Sequence, residues 1–192
     1  MARGTTLLDR LKAETKLSHD RIEQSMDLER RIGSRSEYRA LLSRFYGFHA
    51  AWEPAAEPLI DDPGLFERRR KTGLLGKDLR VLGLSDQEIA ALPRCPLIPM
   101  PTRAAALGAM YVVEGSTLGG AIIAHRVERR LGLTSEAGSA YFRSYGAELA
   151  RMWKTFGAAL IALTSPAAEE EVIASANLTF GLMEDWLCGG VA

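Results

Sequence analysis

Apolar residues recur at intervals of three and four along nearly the whole chain. No stretch alternates long enough to suggest a strand, so the pattern predicts an all-α protein. The first helix is expected to start after Thr5 or Thr6 and to end at Gly33. Leu8, Leu11, Thr15, His19, Ile22 and Met26 draw one line along one of its faces. A second helix, beginning near Ser36, turns Tyr38, Leu41, Leu42, Phe45, His49 and Trp52 inward. Pro54 and Pro58 should bend or stop it, because proline lacks an amide donor and its ring collides with the preceding turn. A third runs from about Leu65 to Leu82, and a short fourth opens with Ser85 and Glu88 at the spacing of a capping box. The segment "LPRCPLIPMP" holds four prolines in ten residues and reads as an extended connection.

Thr102 is expected to cap a fifth helix that reaches Leu131 and stops at Gly132. It is apolar nearly all round as far as Ala124, which predicts a central position. A sixth, broken near Gly146, places Tyr145, Leu149, Met152, Trp153, Phe156 and Leu160 inward. The seventh opens with "SPAAEEE": Ser165 as cap, Pro166 in the first turn, and acids that complement the helix dipole. Ile173, Ala176, Phe180, Met183 and Leu187 form its inward face.

The fifth helix contains an anomaly. "MYVVEGSTLGGAIIAHRV", residues 110–127, carries Gly115, Gly119 and Gly120 where a helix should be strong, at a cost of about 1 kcal/mol each relative to alanine. Close helix packing is one explanation. A flat ligand lying against bare backbone is the other, since any Cβ there would collide with it. Ser116 and Thr117 can bond to preceding carbonyls and bend the helix.

At 192 residues, one domain spanning 1–192 is expected. Lysine plus arginine and aspartate plus glutamate balance at 24 each, which gives no general attraction for nucleic acid. The run Arg68, Arg69, Arg70, Lys71 reads as a solvated helix face. Cys95 and Cys188 are far apart and form no metal or disulfide spacing, which suits a reduced, cytoplasmic location. No signal-peptide core and no eighteen uninterrupted apolar residues are found, so no membrane attachment is expected.

Candidate chemistry is scarce. Three histidines, no HExxH and no Glu-x-x-His step argue against a metal centre built from protein ligands alone. His19 lies on an apolar stripe, either as a core histidine with satisfied ring nitrogens or as a ligand aimed at something the protein encloses. Lys12 precedes it by two helical turns, about 10 Å, roughly the distance from the centre of a haem to its propionates. One helix would then offer both an iron ligand and a counter-charge. Glu23, one turn on, either orients the imidazole or is solvated. His49 reads as structural, with no charged partner at a useful spacing, and His125 as water-facing. Glu114, a carboxylate among apolar residues, reads as half of a buried ion pair.

Taken together, "LKAETKLSHDRIE" (residues 11–23) and "YVVEGSTLGG" (residues 111–120) resemble the two haem-facing helices of the haem oxygenase family, in its bacterial biliverdin-producing branch. The resemblance implies haem held between the first and fifth helices, with His19 as axial iron ligand. It also implies propionate contacts from Lys12 and from Lys154, the latter in "RMWKTF", and places Thr15 among the haem-binding residues. Gly115, Ser116, Gly119 and Gly120 would form the distal pocket. "RRKTGLLGKDLRVLG" resembles a further family helix through its Asp78-Leu79 step. The activity implied is opening of haem to biliverdin with release of CO and ferrous iron. It uses O2 and electrons from an external ferredoxin or reductase, and a phytochrome is one destination for the product. One departure is Ser116, where animal members carry an aspartate that organises water near bound oxygen. A non-catalytic haem carrier or sensor, and a haem-free thiaminase-like enzyme of the same architecture, are the alternative readings.

Overall fold

The computed structural model describes residues 6–96, 99–163 and 165–189, so Thr5, Leu97 and Ile98 of the expectations above lie outside the described residues. Among the described residues the regular elements are helical. The helices are α1 (Leu7–Glu14), α2 (Lys16–Ser25), α3 (Leu28–Arg31), α4 (Arg35–Ile60), α5 (Pro63–Phe66), α6 (Thr72–Val81), α7 (Asp86–Ala90), α8 (Arg103–Leu131), α9 (Ala140–Arg143), α10 (Leu149–Ile161) and α11 (Pro166–Cys188). Two 3-10 turns, Glu67–Arg69 and Gly146–Glu148, join α5 to α6 and α9 to α10.

The expected elements are present, with more breaks than periodicity shows. The first predicted helix divides at Thr15, whose hydroxyl donates to the Leu11 carbonyl at 2.7 Å and competes with continuation of the helix. It ends well before Gly33, because Asp27 takes a left-handed conformation (φ 42°) ahead of α3. Helix α4 begins after Ser34, which caps it through the Glu37 amide, and it runs straight through Pro54 and Pro58. Both prolines sit on its exposed side, where water can satisfy the carbonyls that lose their amide partners. The third predicted helix breaks around Glu67–Arg69. Both Thr102 and the Ser85–Glu88 capping box cap as expected, and Gly132 ends α8 in the left-handed region (φ 64°). Ser165 occupies the cap position of α11 without a side-chain hydrogen bond, leaving Pro166 to start that helix.

Helix α8 is the axis of the molecule. Its most apolar window has a mean hydropathy of 1.4, enough by length and composition to cross a membrane, yet half of that window is buried against other helices. Its most extensive contact is with α11. The "AAALGAM" half allows a close approach: a Cβ on Gly108 would lie 2.3 Å from the Val172 carbonyl oxygen, and Ser175 donates to the Ala105 carbonyl at 2.7 Å. Against this pair pack α4, α2 and α10, and one apolar core joins them. Cys95 is buried, its thiol pushed up to about 11 by burial, and it is unpaired, as is Cys188.

Candidate functional site

A cavity of about 840 Å³ opens between α1 and α2 on one side and the C-terminal half of α8 with α9 on the other. That is near the upper end of the range for small-molecule and cofactor sites. His19, Lys12, Thr15, Gly115, Ser116, Gly119 and Gly120 all line it. Lys154 is exposed and not part of the lining, whereas Trp153 beside it is.

The His19 side chain is 52% exposed, which removes the core-histidine reading. Its ring stands edge-on to Phe180 of α11 (centroids 5.9 Å apart, 77° between planes). Nδ1 lies 3.8 Å from Asp20 and Nε2 3.7 Å from Glu23, both too long for hydrogen bonds, so the ring is steadied and its nitrogens stay open for ligation. These two carboxylates with His19 have the spacing of a cation site, but exposed acids commonly lie so close without one. Lys12 belongs to α1 and His19 to α2, so the two arrive on either side of the Thr15 break. Thr15 is itself buried and uses its hydroxyl on the backbone.

The opposite wall separates the glycines. A Cβ on Gly115 or Gly119 would meet no atom within 4 Å, so these two leave backbone bare toward the cavity. Gly120 borders the cavity but is small for another reason: a Cβ there would lie 2.5 Å from the Phe142 carbonyl oxygen. It seats α9, which supplies Tyr141 and Phe142 to the lining. Ser116 donates to the Val113 carbonyl (2.7 Å) and Thr117 to the Glu114 carbonyl (2.6 Å), within a helix that is unbroken.

Beneath this wall lies a buried charged layer that corrects two expectations. Glu114 is paired, as expected: Arg69 Nε donates to it at 3.0 Å and the Tyr145 hydroxyl at 2.6 Å. Arg69, however, expected on a solvated face, is 1% exposed and donates also to the Leu65 and Met152 carbonyls. Lys71 is equally buried. Its ammonium donates to Ser144 (2.7 Å) and sits 3.6 Å above the Tyr145 ring, and burial brings its pKa down to about 8. Arg68 remains exposed. A run of four cations conceals two interior ones because Arg70, after the 3-10 turn, is extended (φ −62°, ψ 133°), which turns its neighbours Arg69 and Lys71 to the same, inner side.

His49 is buried, as expected of a structural histidine, but it does have a charged partner. Glu53, one turn on, lies 3.6 Å from Nδ1, and the Tyr141 hydroxyl lies 3.3 Å from Nε2. The (i, i+4) spacing was visible in the sequence. Tyr141 and Phe142 were not foreseen as lining, because a four-residue helix has no periodicity to read. Phe180 and Met183 face inward, as expected, and border the cavity as well as the core. His125 is exposed, as expected.

The cavity fits haem on these observations. It has a flat bare-backbone wall, an aromatic and aliphatic interior (Phe45, Phe142, Trp153, Phe180, Met183), an imidazole with open nitrogens opposite, and Lys12 in its lining to meet carboxylates.

The comparisons with known proteins agree. A family model described as "Heme oxygenase" matches residues 5–188. The haem oxygenase of Xanthomonas campestris pv. campestris (strain 8004) is 37% identical over 117 residues, 60% of this chain and 66% of that protein's length. Among solved structures, the NO- and CO-bound haem oxygenase of Neisseria meningitidis superposes with a TM-score of 0.74 at 24% identity, covering 98% of this chain and 95% of that one. Haem oxygenase-1 of Synechocystis sp. PCC 6803 in complex with haem gives 0.75 at 18% identity, covering 94% and 90%. Haem oxygenase 2 of Chlamydomonas reinhardtii, solved without haem, gives 0.77 at 16% identity, covering 95% and 96%. At these identities the structural likenesses establish the fold.

Proposed function

The chain belongs to the haem oxygenase family, and from that premise we propose that it opens haem to biliverdin, releasing CO and ferrous iron. It would use O2 and electrons from an external ferredoxin or reductase. The observation that carries the reading is the opposition of His19, half-exposed into the cavity, to a wall whose Gly115 and Gly119 leave room for a flat ligand. When bound, haem supplies both the oxygen-activating iron and the ring that is consumed.

The protein's own tasks are then orientation, exclusion of water and control of hydrogen bonding. His19 would hold the iron through a ring nitrogen, with Phe180 limiting rotation of the imidazole. Lys12 would offer a cation to a propionate, while Lys16, one turn further along on the same lining, donates to Asp20. Phe142, Phe180 and Met183 keep the interior apolar, while Tyr111, Ser116, Thr117 and Tyr141 bring hydroxyls to the glycine side. Lys154, exposed beside Trp153, would reach a propionate only from outside the lining.

The test is aerobic turnover. The haem complex supplied with a ferredoxin-type reductant and oxygen is expected to lose its Soret band while biliverdin absorbance grows. Haem binding with an intact ring after many equivalents of reductant would show a carrier or sensor instead. No Soret band on haem addition would overturn the haem reading altogether.

A further inference from the structure

Four hydroxyl-bearing residues, Tyr111, Ser116, Thr117 and Tyr141, line the glycine-bearing side of the cavity, and the last three share a property that decides what this part of the wall can recognise. The hydroxyls of Ser116 and Thr117 both donate to carbonyls of their own helix. The third, on Tyr141, takes its direction from two residues deeper in the protein. Tyr141 Oη lies 3.3 Å from His49 Nε2, and His49 Nδ1 lies 3.6 Å from Glu53 Oε1.

Both His49 and Glu53 are buried. Burial pushes the imidazole below its ordinary range, with Glu53 offsetting only part of the effect, so the ring is neutral and carries a single N–H. Glu53 remains a carboxylate. Burial opposes its charge, but His49 and the donors at the start of α6 outweigh burial: the Lys71 amide at 2.6 Å, the Thr72 amide at 3.1 Å and the Thr72 hydroxyl at 2.7 Å. A bare Nδ1 lone pair facing that carboxylate would be repelled, whereas an N–H dipole is attracted even at a separation too long for a hydrogen bond. The proton therefore belongs on Nδ1, and Nε2 is an acceptor. The Tyr141 O–H donates inward to it. Asp78 holds the tyrosine in place from the other side, accepting the backbone amides of Ala140 (2.9 Å) and Tyr141 (2.8 Å).

We infer that Glu53 and His49 set the orientation of the Tyr141 hydroxyl, so that Ser116, Thr117 and Tyr141 present oxygen lone pairs and no hydroxyl proton to the cavity. The part of the wall formed by these three residues is an acceptor surface that favours hydrogen-bond-donating ligands such as water over anions. The inference rests on the haem reading for which ligands enter the space, though not for the orientation itself. Glu53, His49 and Asp78 are positioning residues, and Tyr141 is the one that meets the ligand. The arrangement places an acceptor near the wall position where Ser116 stands in place of the animal family members' aspartate.

Two measurements test it. In the haem-free protein at neutral pH, nitrogen-15 NMR of the His49 ring is expected to show Nδ1 protonated and Nε2 bare. Tyr141→Phe should shift Nε2 while leaving the Nδ1 proton in place. A proton on Nε2 in the unsubstituted protein overturns the inference. In the ferric haem-loaded protein, azide is the probe. His49→Phe removes the Nε2 acceptor, so the Tyr141 proton is no longer held inward and turns toward the cavity. Azide should then bind about 3- to 10-fold more tightly, the effect of one hydrogen bond, and adding Tyr141→Phe should abolish the gain. Azide affinity unaffected by His49→Phe contradicts the inference. Should the protein take up no haem, the haem reading fails, and the ring-proton assignment in the haem-free protein still decides the orientation.

Discussion

The two halves of α8 contain the same residue for opposite reasons. At Gly108 a side chain would run into the Val172 carbonyl 2.3 Å away, because α11 lies directly on the helix; at Gly115 and Gly119 a side chain would meet nothing within 4 Å. One half lacks side chains to let protein in, the other to let a ligand in. Gly120 shows how close the two uses lie: it borders the cavity, yet its bareness serves the Phe142 carbonyl at 2.5 Å. A glycine cluster in a helix is thus two signals superimposed. Only the surroundings, never the spacing, separate them.

Substitutions sharpen that contrast, and the largest effect is expected at the junction of the halves. Glu114→Ala leaves Arg69 buried without its counter-charge, at an expected loss of about 3–5 kcal/mol, to be read in urea unfolding. Gly108→Val should cost about 3 kcal/mol by forcing α8 and α11 apart, measured in the same way. Lys71, in the same buried layer, should make stability depend on alkaline pH. Its folded pKa of about 8 lies below the ordinary lysine value of 10.5, so between these values the unfolded chain holds a proton that the folded chain has released. Stability should therefore rise with pH across that window, by about 1–3 kcal/mol, with no such rise in Lys71→Met. Gly119→Ala should give the smallest change in stability and the opposite sign: the haem-free protein is expected to gain about 0.5–1 kcal/mol, since the new methyl group strengthens the helix and touches nothing. At the same position leucine would fill the ligand's space and lower haem affinity about tenfold or more. Equal destabilisation by alanine at Gly108 and Gly119 would break the comparison.

Much of the fold was legible because most of it is amphipathic helix. The capping of α7 and α8 and the inward face of α11 follow from residues whose physical role is local. The breaks were less visible. Thr15 interrupts a continuous apolar stripe with a hydrogen bond to its own backbone, and Pro54 and Pro58 fail to interrupt α4 because they face water. The candidate site was legible where it depends on helix faces, as for His19, Lys12, Gly115 and Gly119. It was illegible where it depends on long-range partners. Arg69 and Lys71 look like surface charges until Glu114, Ser144 and Tyr145 are brought to them. Asp78, noted for its Asp-Leu step, is explained by the two α9 amides it holds.

The central claim is that His19 and the bare half of α8 face each other across a haem. Haem titration of His19→Ala tests it most directly. Because the ring is half-exposed and makes no hydrogen bond among the described residues, the variant should keep its thermal stability. It should lose the Soret spectrum of the unsubstituted complex and regain it when imidazole is supplied. An unaltered Soret spectrum without imidazole would contradict the account.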